Sequence, residues 1–260
     1  SYSPLKDNIN IKNIYEDTSD LLPYVADIYN SPARYNLIAG GRSSTKTREA
    51  GAKRIIKKSF NPIYSDSFIL CTRTYATNLE TTTYSTIKSV IISEGWEQFF
   101  KFIQSKKWIV NKVTNAIFTF KGLQNPTAVK STDNISFWWH DEAEDLPINT
   151  IEIIAPTVRG DTLDQDKYRS KIIFTYNPLR PVDDVAEYCQ RHFKDCDFKH
   201  INIYDLPPKY QNREMLAEAE RDRESDDLLW KWKWLGQPHP IMANEPFSTM
   251  KTAKAEKSHT

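Results

Sequence analysis

The sequence predicts an α/β fold with a mainly parallel central sheet flanked by helices, and three observations predict it. Mostly apolar runs such as Ile135-Ser136-Phe137-Trp138-Trp139 and Lys171-Ile172-Ile173-Phe174-Thr175-Tyr176 suit central strands covered on both faces. Segments with helical spacing alternate with these runs, the pattern of a parallel sheet with crossover helices. A glycine pair, Gly40-Gly41, follows one short strand directly and precedes a helical pattern.

Residues 1–34 read as a helical lead-in, with Leu21, Leu22, Val25 and Ile28 at helical spacing and Pro32 closing it. Tyr35-Asn36-Leu37-Ile38-Ala39 is the first strand. A helix is expected from near Thr45, with Ala52, Ile55 and Ile56 inward. Phe68-Ile69-Leu70-Cys71-Thr72 is the next strand, and Tyr84, Ile87 and Ile91 mark the helix after it. Trp108-Ile109-Val110 and residues 116–120 form strands of a meander. The run from Ile135 ends in His140-Asp141-Glu142, and the run from Lys171 is stopped by Asn177-Pro178. Helices follow at 183–194 and 212–234. Residues 239–260 carry no pattern and read as a linker or disordered tail.

Composition bounds the function. Hydrophobic residues make up 39% and aromatics 12%, enough for a core. Lys and Arg number 35 against 34 Asp and Glu, so no global field attracts nucleic acid and any such contact must be a local patch. The three cysteines, Cys71, Cys189 and Cys196, suit a reducing compartment. No apolar run approaches the ~18 residues of a membrane span, and the first residues lack a signal-peptide core. A soluble cytoplasmic protein is expected.

Gly40-Gly41-Arg42-Ser43-Ser44-Thr45-Lys46-Thr47 approximates the phosphate-binding loop G-x-x-x-x-G-K-[ST], with Thr45 where the second glycine is usual. The glycines allow a sharp turn after the strand, and the loop N–H groups and the helix N-terminus can then converge on phosphate oxygens. Lys46 supplies a charge for the β- and γ-phosphates, and the Thr47 hydroxyl a ligand for Mg²⁺. Taken alone, the segment reads equally as a Gly-Gly turn before a helix capped by Ser44 or Thr45.

Such a site needs a carboxylate at a neighbouring strand end for Mg²⁺ and a group to orient the attacking water. Asp141 suits the first role and Glu142 the second, since neighbouring positions on a strand face opposite ways. Glu144 and Asp145 read instead as solvated acids opening the next helix. If the strand ending at Tyr176 lies beside the glycine-loop strand, Thr175 and Asn177 reach the γ-phosphate region. Together these features predict a P-loop NTPase of the ASCE type that binds ATP and Mg²⁺.

The order of motifs resembles the ATPase domain of the large terminase subunit of tailed bacteriophages. Residues 40–47 look like its Gly-Gly-Arg-rich Walker A. Cys71-Thr72-Arg73 with Leu79 and Tyr84 is similar to its second strand and helix. Phe120-Lys121-Gly122-Leu123, Asn125-Pro126 and Val129-Lys130-Ser131 resemble the approach to Walker B, and Trp139-His140-Asp141-Glu142-Ala143-Glu144 that motif itself. Ala155-Pro156-Thr157-Val158-Arg159, Thr175-Tyr176-Asn177-Pro178 and Trp234-Leu235-Gly236-Gln237-Pro238 fit the segments that follow.

The resemblance implies an ATPase domain over 35–238. It would belong to a ring motor that drives double-stranded DNA into a procapsid through the portal protein, with a small terminase subunit as partner, in the host cytoplasm. The isolated domain would be a monomer. The resemblance also implies Arg42 against the phosphates and Lys130 serving a neighbouring subunit in trans. Arg73 and Arg159 are phosphate or interface residues, or surface salt bridges. The chain ends too soon for the family's C-terminal nuclease, so DNA cleavage is not expected. A nucleotide-binding module with little catalysis and a helicase-like ATPase are the alternatives.

Cys189, His192, Cys196 and His200 have the composition of a zinc set but read as incidental, because a strand turns His200 to the polar side. Asp161, Asp164 and Asp166 read as an exposed loop. The lysine-rich clusters Lys53-Arg54-Lys57-Lys58 and Lys101-Lys106-Lys107-Lys112 read as solvated faces rather than phosphate tracks. Trp230, Trp232 and Trp234 read as packing of a terminal segment onto the core.

Overall fold

A computed structural model describes residues 10–75, 80–129, 132–160 and 170–241. Lys130, Ser131, Leu79, the three aspartates at 161–166 and the tail from 242 lie outside them.

Eight strands form one sheet in the order β3-β4-β5-β2-β6-β7-β1-β8. They are β1 (Tyr35–Gly40), β2 (Phe68–Arg73), β3 (Phe100–Ile103), β4 (Trp108–Asn111), β5 (Ile117–Gly122), β6 (Ile135–Asp141), β7 (Lys171–Tyr176) and β8 (Cys196–Ile201). The six strands from β5 to β8 in that order pair in parallel, and β4 alone runs against its neighbours. The mainly parallel sheet and the meander at 108–120 are therefore as the sequence predicts. The structure adds β3, and the strand expected around His200 forms as the edge strand β8.

All residues of β1, β6 and β7 are buried. This is why their sequences read as continuous apolar runs rather than alternating ones. Two aromatic-rich cores cover the two faces, one around Ile38, Ile56 and Trp139, the other around Leu37, Trp138 and Phe174. Register fixes the site: Ala39 stands opposite Tyr176, and Thr175 opposite Asp141. The ends of β1, β6 and β7 thus meet at one edge of the sheet.

The helix after the glycine loop opens as a π-helical stretch, Thr47–Lys53, and continues as an α-helix, Arg54–Ser59. Arg54 N–H reaches Glu49 O, five residues back. Gly51 lies on this stretch, and a Cβ there would sit 2.4 Å from the Trp139 ring, so the helix presses onto β6 where only glycine fits.

The basic cluster on this helix corrects the sequence reading. Lys53, Arg54, Lys57 and Lys58 are buried, not solvated. Lys53 pairs with Asp20 and Glu94, Lys57 with Asp20, Arg54 donates to Ile28 O, and Lys58 donates to Asn30 Oδ1. The lead-in, with helices Ile11–Glu16 and Pro23–Tyr29, lies over them and supplies most of these oxygens. The helix expected at 212–234 is two helices, Arg213–Ser225 and Asp227–Leu235. They break at Asp226, whose extended backbone lets its side chain cap Leu229 N–H.

Candidate functional site

The glycine loop is shaped by what packs on it. A Cβ on Gly40 would lie 1.9 Å from Ile201 O, and one on Gly41 2.0 Å from Trp234 O. The end of the Asp227–Leu235 helix therefore seats directly on the loop, and Arg42 N–H donates to Lys233 O at 2.7 Å. Trp230 and Trp234 are buried, and Trp232 Nε1 donates to Pro178 O, so the tryptophan stripe is packing, as the sequence indicates. The Arg42 and Ser43 side chains are exposed.

Thr45, where the motif has glycine, holds a backbone conformation that favours glycine. Its φ is +64° and that of Ser43 is +56°. Both occupy the left-handed region that glycine normally fills, which is an outlier for a β-branched residue. Thr45 Oγ1 donates to Ser44 O at 2.6 Å and lies 3.5 Å from the Tyr24 hydroxyl.

Lys46 is buried. Its Nζ donates to Gly41 O at 3.0 Å and to Asn177 Oδ1 at 2.5 Å. Burial pulls its ammonium down to about 8, against the raising effect of Asp141, Glu144 and Glu142. β7 lies beside β1, the pairing on which the sequence made the reach of Asn177 conditional, and Asn177 there meets Lys46.

Asp141 is the hub. Its Oδ1 accepts from Thr47 Oγ1 at 3.0 Å and from Thr175 Oγ1 at 2.8 Å. Its Oδ2 accepts from Arg73 Nη2 at 2.6 Å, and Arg73 Nη1 lies 2.9 Å from Glu142 Oε2. The Arg73 side chain is only 12% exposed, so this is not a surface salt bridge. Glu142 leaves the strand in a left-handed conformation, φ +58°, with its side chain largely in solvent.

Glu144 is the second correction. It is not a solvated helix-opening acid: its Oε2 accepts from Asn177 N–H at 3.3 Å, and burial raises its carboxyl to about 7. Behind the site, Trp138 Nε1 donates to Thr72 Oγ1, which is hydrogen-bonded to His140 Nδ1 at 2.8 Å. Burial drives His140 down to about 3, so it is a neutral core residue.

The structure thus brings Gly40, Gly41, Ser44, Thr45, Lys46, Thr47, Asp141, Glu142 and Asn177 to one sheet edge. Sequence reasoning missed Glu144 and the bridging role of Arg73. The signals were present: Glu144 stands two residues beyond Glu142, and Arg73 ends the strand beside β6. Among the described residues no group of three or more His, Cys, Asp or Glu could hold a metal. His192 stacks on Tyr35, and His200 Nε2 lies 3.1 Å from Gly236 O. Thr47 Oγ1 and Asp141 Oδ1 together offer hard oxygens, the donor set Mg²⁺ takes when substrate phosphates and water complete its shell.

The family model described as phage terminase large subunit matches residues 32–237. Among solved structures, the large terminase of a thermophilic bacteriophage in complex with ATP-γ-S matches with a TM-score of 0.59 and 14% identity, over 85% of this chain and 50% of that one. The HK97 bacteriophage large terminase matches with a TM-score of 0.61 and 8% identity, over 89% of this chain and 56% of that one. The Thermus phage P74-26 large terminase ATPase domain matches with a TM-score of 0.55 and 13% identity, over 81% of this chain and 90% of that one. This chain therefore spans about half of the large terminases and most of an ATPase domain. No curated protein matches the sequence.

Proposed function

This chain belongs to the phage terminase large-subunit family, and from that premise we propose that it hydrolyses Mg²⁺-ATP to drive double-stranded DNA into a procapsid. The observation that carries the reading is the convergence of Lys46, Thr47, Asp141 and Asn177 at one sheet edge. The similar phage terminase solved in complex with ATP-γ-S supports nucleotide as the ligand.

The loop residues 40–47 would cradle the phosphates, with Lys46 and Arg42 supplying positive charge. Burial of Lys46 removes competing water, so its charge acts on the phosphates at low effective dielectric. Thr47 and Asp141 would hold Mg²⁺, which when bound neutralises charge developing on the phosphate oxygens. Glu142 is the group that orients or deprotonates the attacking water. Asn177, hydrogen-bonded to Lys46 and to Glu144, would report the state of the terminal phosphate to β7. Lys130, outside the described residues, is proposed to act in trans in a ring of copies on the portal protein, with the small terminase subunit as a further partner.

Glu142→Gln is expected to retain ATP binding and lose turnover. Unchanged turnover would remove Glu142 from the mechanism. One contact favours the alternative of binding with little basal catalysis: Arg73 holds Glu142. Steady-state ATPase activity with and without DNA separates the two, since DNA-stimulated turnover supports the motor and binding without turnover under either condition supports the module.

A further inference from the structure

The 35 residues from Gln98 to Thr132 contain six lysines and no aspartate or glutamate. This is an unusual segregation in a chain with nearly balanced charge. The segment folds as β3, β4 and β5, the outer end of the sheet.

Register sorts its faces. Phe100 pairs with Asn111 and Phe102 with Ile109, and these turn toward the core: Phe100, Ile109 and Asn111 are buried. Lys101 pairs with Val110 and Ile103 with Trp108, and these form the opposite face. Val110 pairs in turn with Ile117, which places Lys121 on that same face of β5. Lys106, in the turn, lies 4.6 Å above the Trp108 ring, so the aromatic holds the tip ammonium on this face. Lys101, Lys106, Lys107 and Lys112 are exposed. Among the described residues no ion pair joins Lys101, Lys106 or Lys112 to an acid, whereas the basic residues of the helix after the glycine loop have oxygen partners.

Strand directions place the tip. β5 is parallel to β2, β4 antiparallel to β5, and β3 antiparallel to β4. The end of β3 therefore lies at the same sheet edge as Arg73 and Asp141. From the tip lysines to Lys112 at the hairpin base is about 15 Å at ~3.3 Å per residue. That is comparable to the ~12 Å major groove separating two phosphate ridges.

We propose that the outer face and tip of the β3–β4 hairpin, centred on Lys101, Lys106 and Lys112, is a contact surface for the phosphate backbone of double-stranded DNA. It deepens the packaging reading and rests on it. A charge guarding an exposed sheet edge accounts for Lys101 alone. It does not account for lysines at the tip and base and on β5, or for the exclusion of acids along the whole segment. An evenly charged polyanion matches that exclusion, because every contact is to a phosphate and none needs an acceptor on the protein.

The test uses the full 260-residue chain and a fluorescently labelled DNA duplex of about 30 base pairs, with binding read by anisotropy across KCl concentrations. Each phosphate contact contributes about 0.9 to the slope of log K against log salt. The variant Lys101→Gln/Lys106→Gln/Lys112→Gln is expected to lower that slope by about 2.7. A control of equal charge change at other exposed positions, Lys12→Gln/Lys194→Gln/Lys209→Gln, is expected to keep the wild-type slope. Both variants should retain wild-type nucleotide binding, which reports an intact fold. A hairpin variant with the wild-type slope overturns the proposal and assigns these lysines to an acidic protein surface or to edge protection. An equal loss in the control also overturns it, because net charge alone is then responsible. If the chain turns over no ATP, the packaging reading fails while the slope comparison still decides the surface.

Discussion

Arg73 Nη2 lies 2.6 Å from Asp141 Oδ2, and the same guanidinium reaches Glu142 Oε2 at 2.9 Å. One cation thus holds both acids of the strand end, and Asp141 itself is buried. Removing Arg73 leaves a buried carboxylate hydrogen-bonded to the Thr47 and Thr175 hydroxyls, with the Lys46 ammonium as a remaining nearby cation. Arg73→Gln is expected to lose about 3 kcal/mol in urea unfolding. Added Mg²⁺ should restore part of the loss, because a cation bound only by the folded form stabilises it. Wild-type stability in the variant would mean that the two hydroxyls and the Lys46 charge suffice.

Thr45 carries a left-handed backbone, at a cost of roughly 1–2 kcal/mol for an L-residue. Glycine adopts that conformation freely but has more unfolded-state entropy to lose. Thr45→Gly is expected to raise stability by about 1 kcal/mol and to leave nucleotide affinity intact. Thermal unfolding checks it. A destabilised variant would show that the contacts of Thr45 to Ser44 O and Tyr24 outweigh the strain.

Two groups set the pH response of the loop. Burial raises Glu144 from 4.5 to about 7 and lowers Lys46 from 10.5 to about 8. Folded Glu144 holds its proton more tightly than the unfolded chain, so its contribution to stability is full below 4.5 and declines as pH rises toward about 7. Lys46 has the opposite sense. The folded form loses its proton first, so stability recovers as pH climbs from about 8 toward 10.5, while the charge proposed to hold phosphate disappears. Nucleotide affinity is expected to fall above about pH 8. In Glu144→Gln the decline of stability between pH 4.5 and about 7 should vanish from the stability profile, and the fall of affinity above 8 should stay. A retained decline assigns that titration to another group.

Gly41→Ala places a Cβ 2.0 Å from Trp234 O, a backbone atom with no freedom to swing away. The Asp227–Leu235 helix or the loop must shift. The expected cost is about 3 kcal/mol by chemical denaturation, with weakened nucleotide binding. A neutral substitution would show that this helix end is not seated firmly on the loop.

Much of the site was legible in one dimension. β7 runs over the span its apolar run marks, and β6 and the glycine loop lie where their patterns end, because buried parallel strands must be apolar throughout and turn residues are chemically distinct. Helix propensity and charge spacing carry no information on what lies opposite in space. For that reason Lys53, Arg54, Lys57 and Lys58 read as a solvated face, although Asp20, Asn30 and Glu94 were available to pair with them. The same limit hid Glu144, whose only signal is proximity to Glu142.

The α/β class, the glycine-loop segment and the strand end at Asp141 were legible in the sequence alone, since each follows from local patterns of burial and turn chemistry. Tertiary structure alone decided that β7 lies between β1 and β6 and that Asn177 meets Lys46. It also decided that Arg73 spans Asp141 and Glu142, and that Thr45 takes a left-handed backbone. Strand order and the approach of side chains from separate elements arise from packing, and packing is set by the whole chain at once.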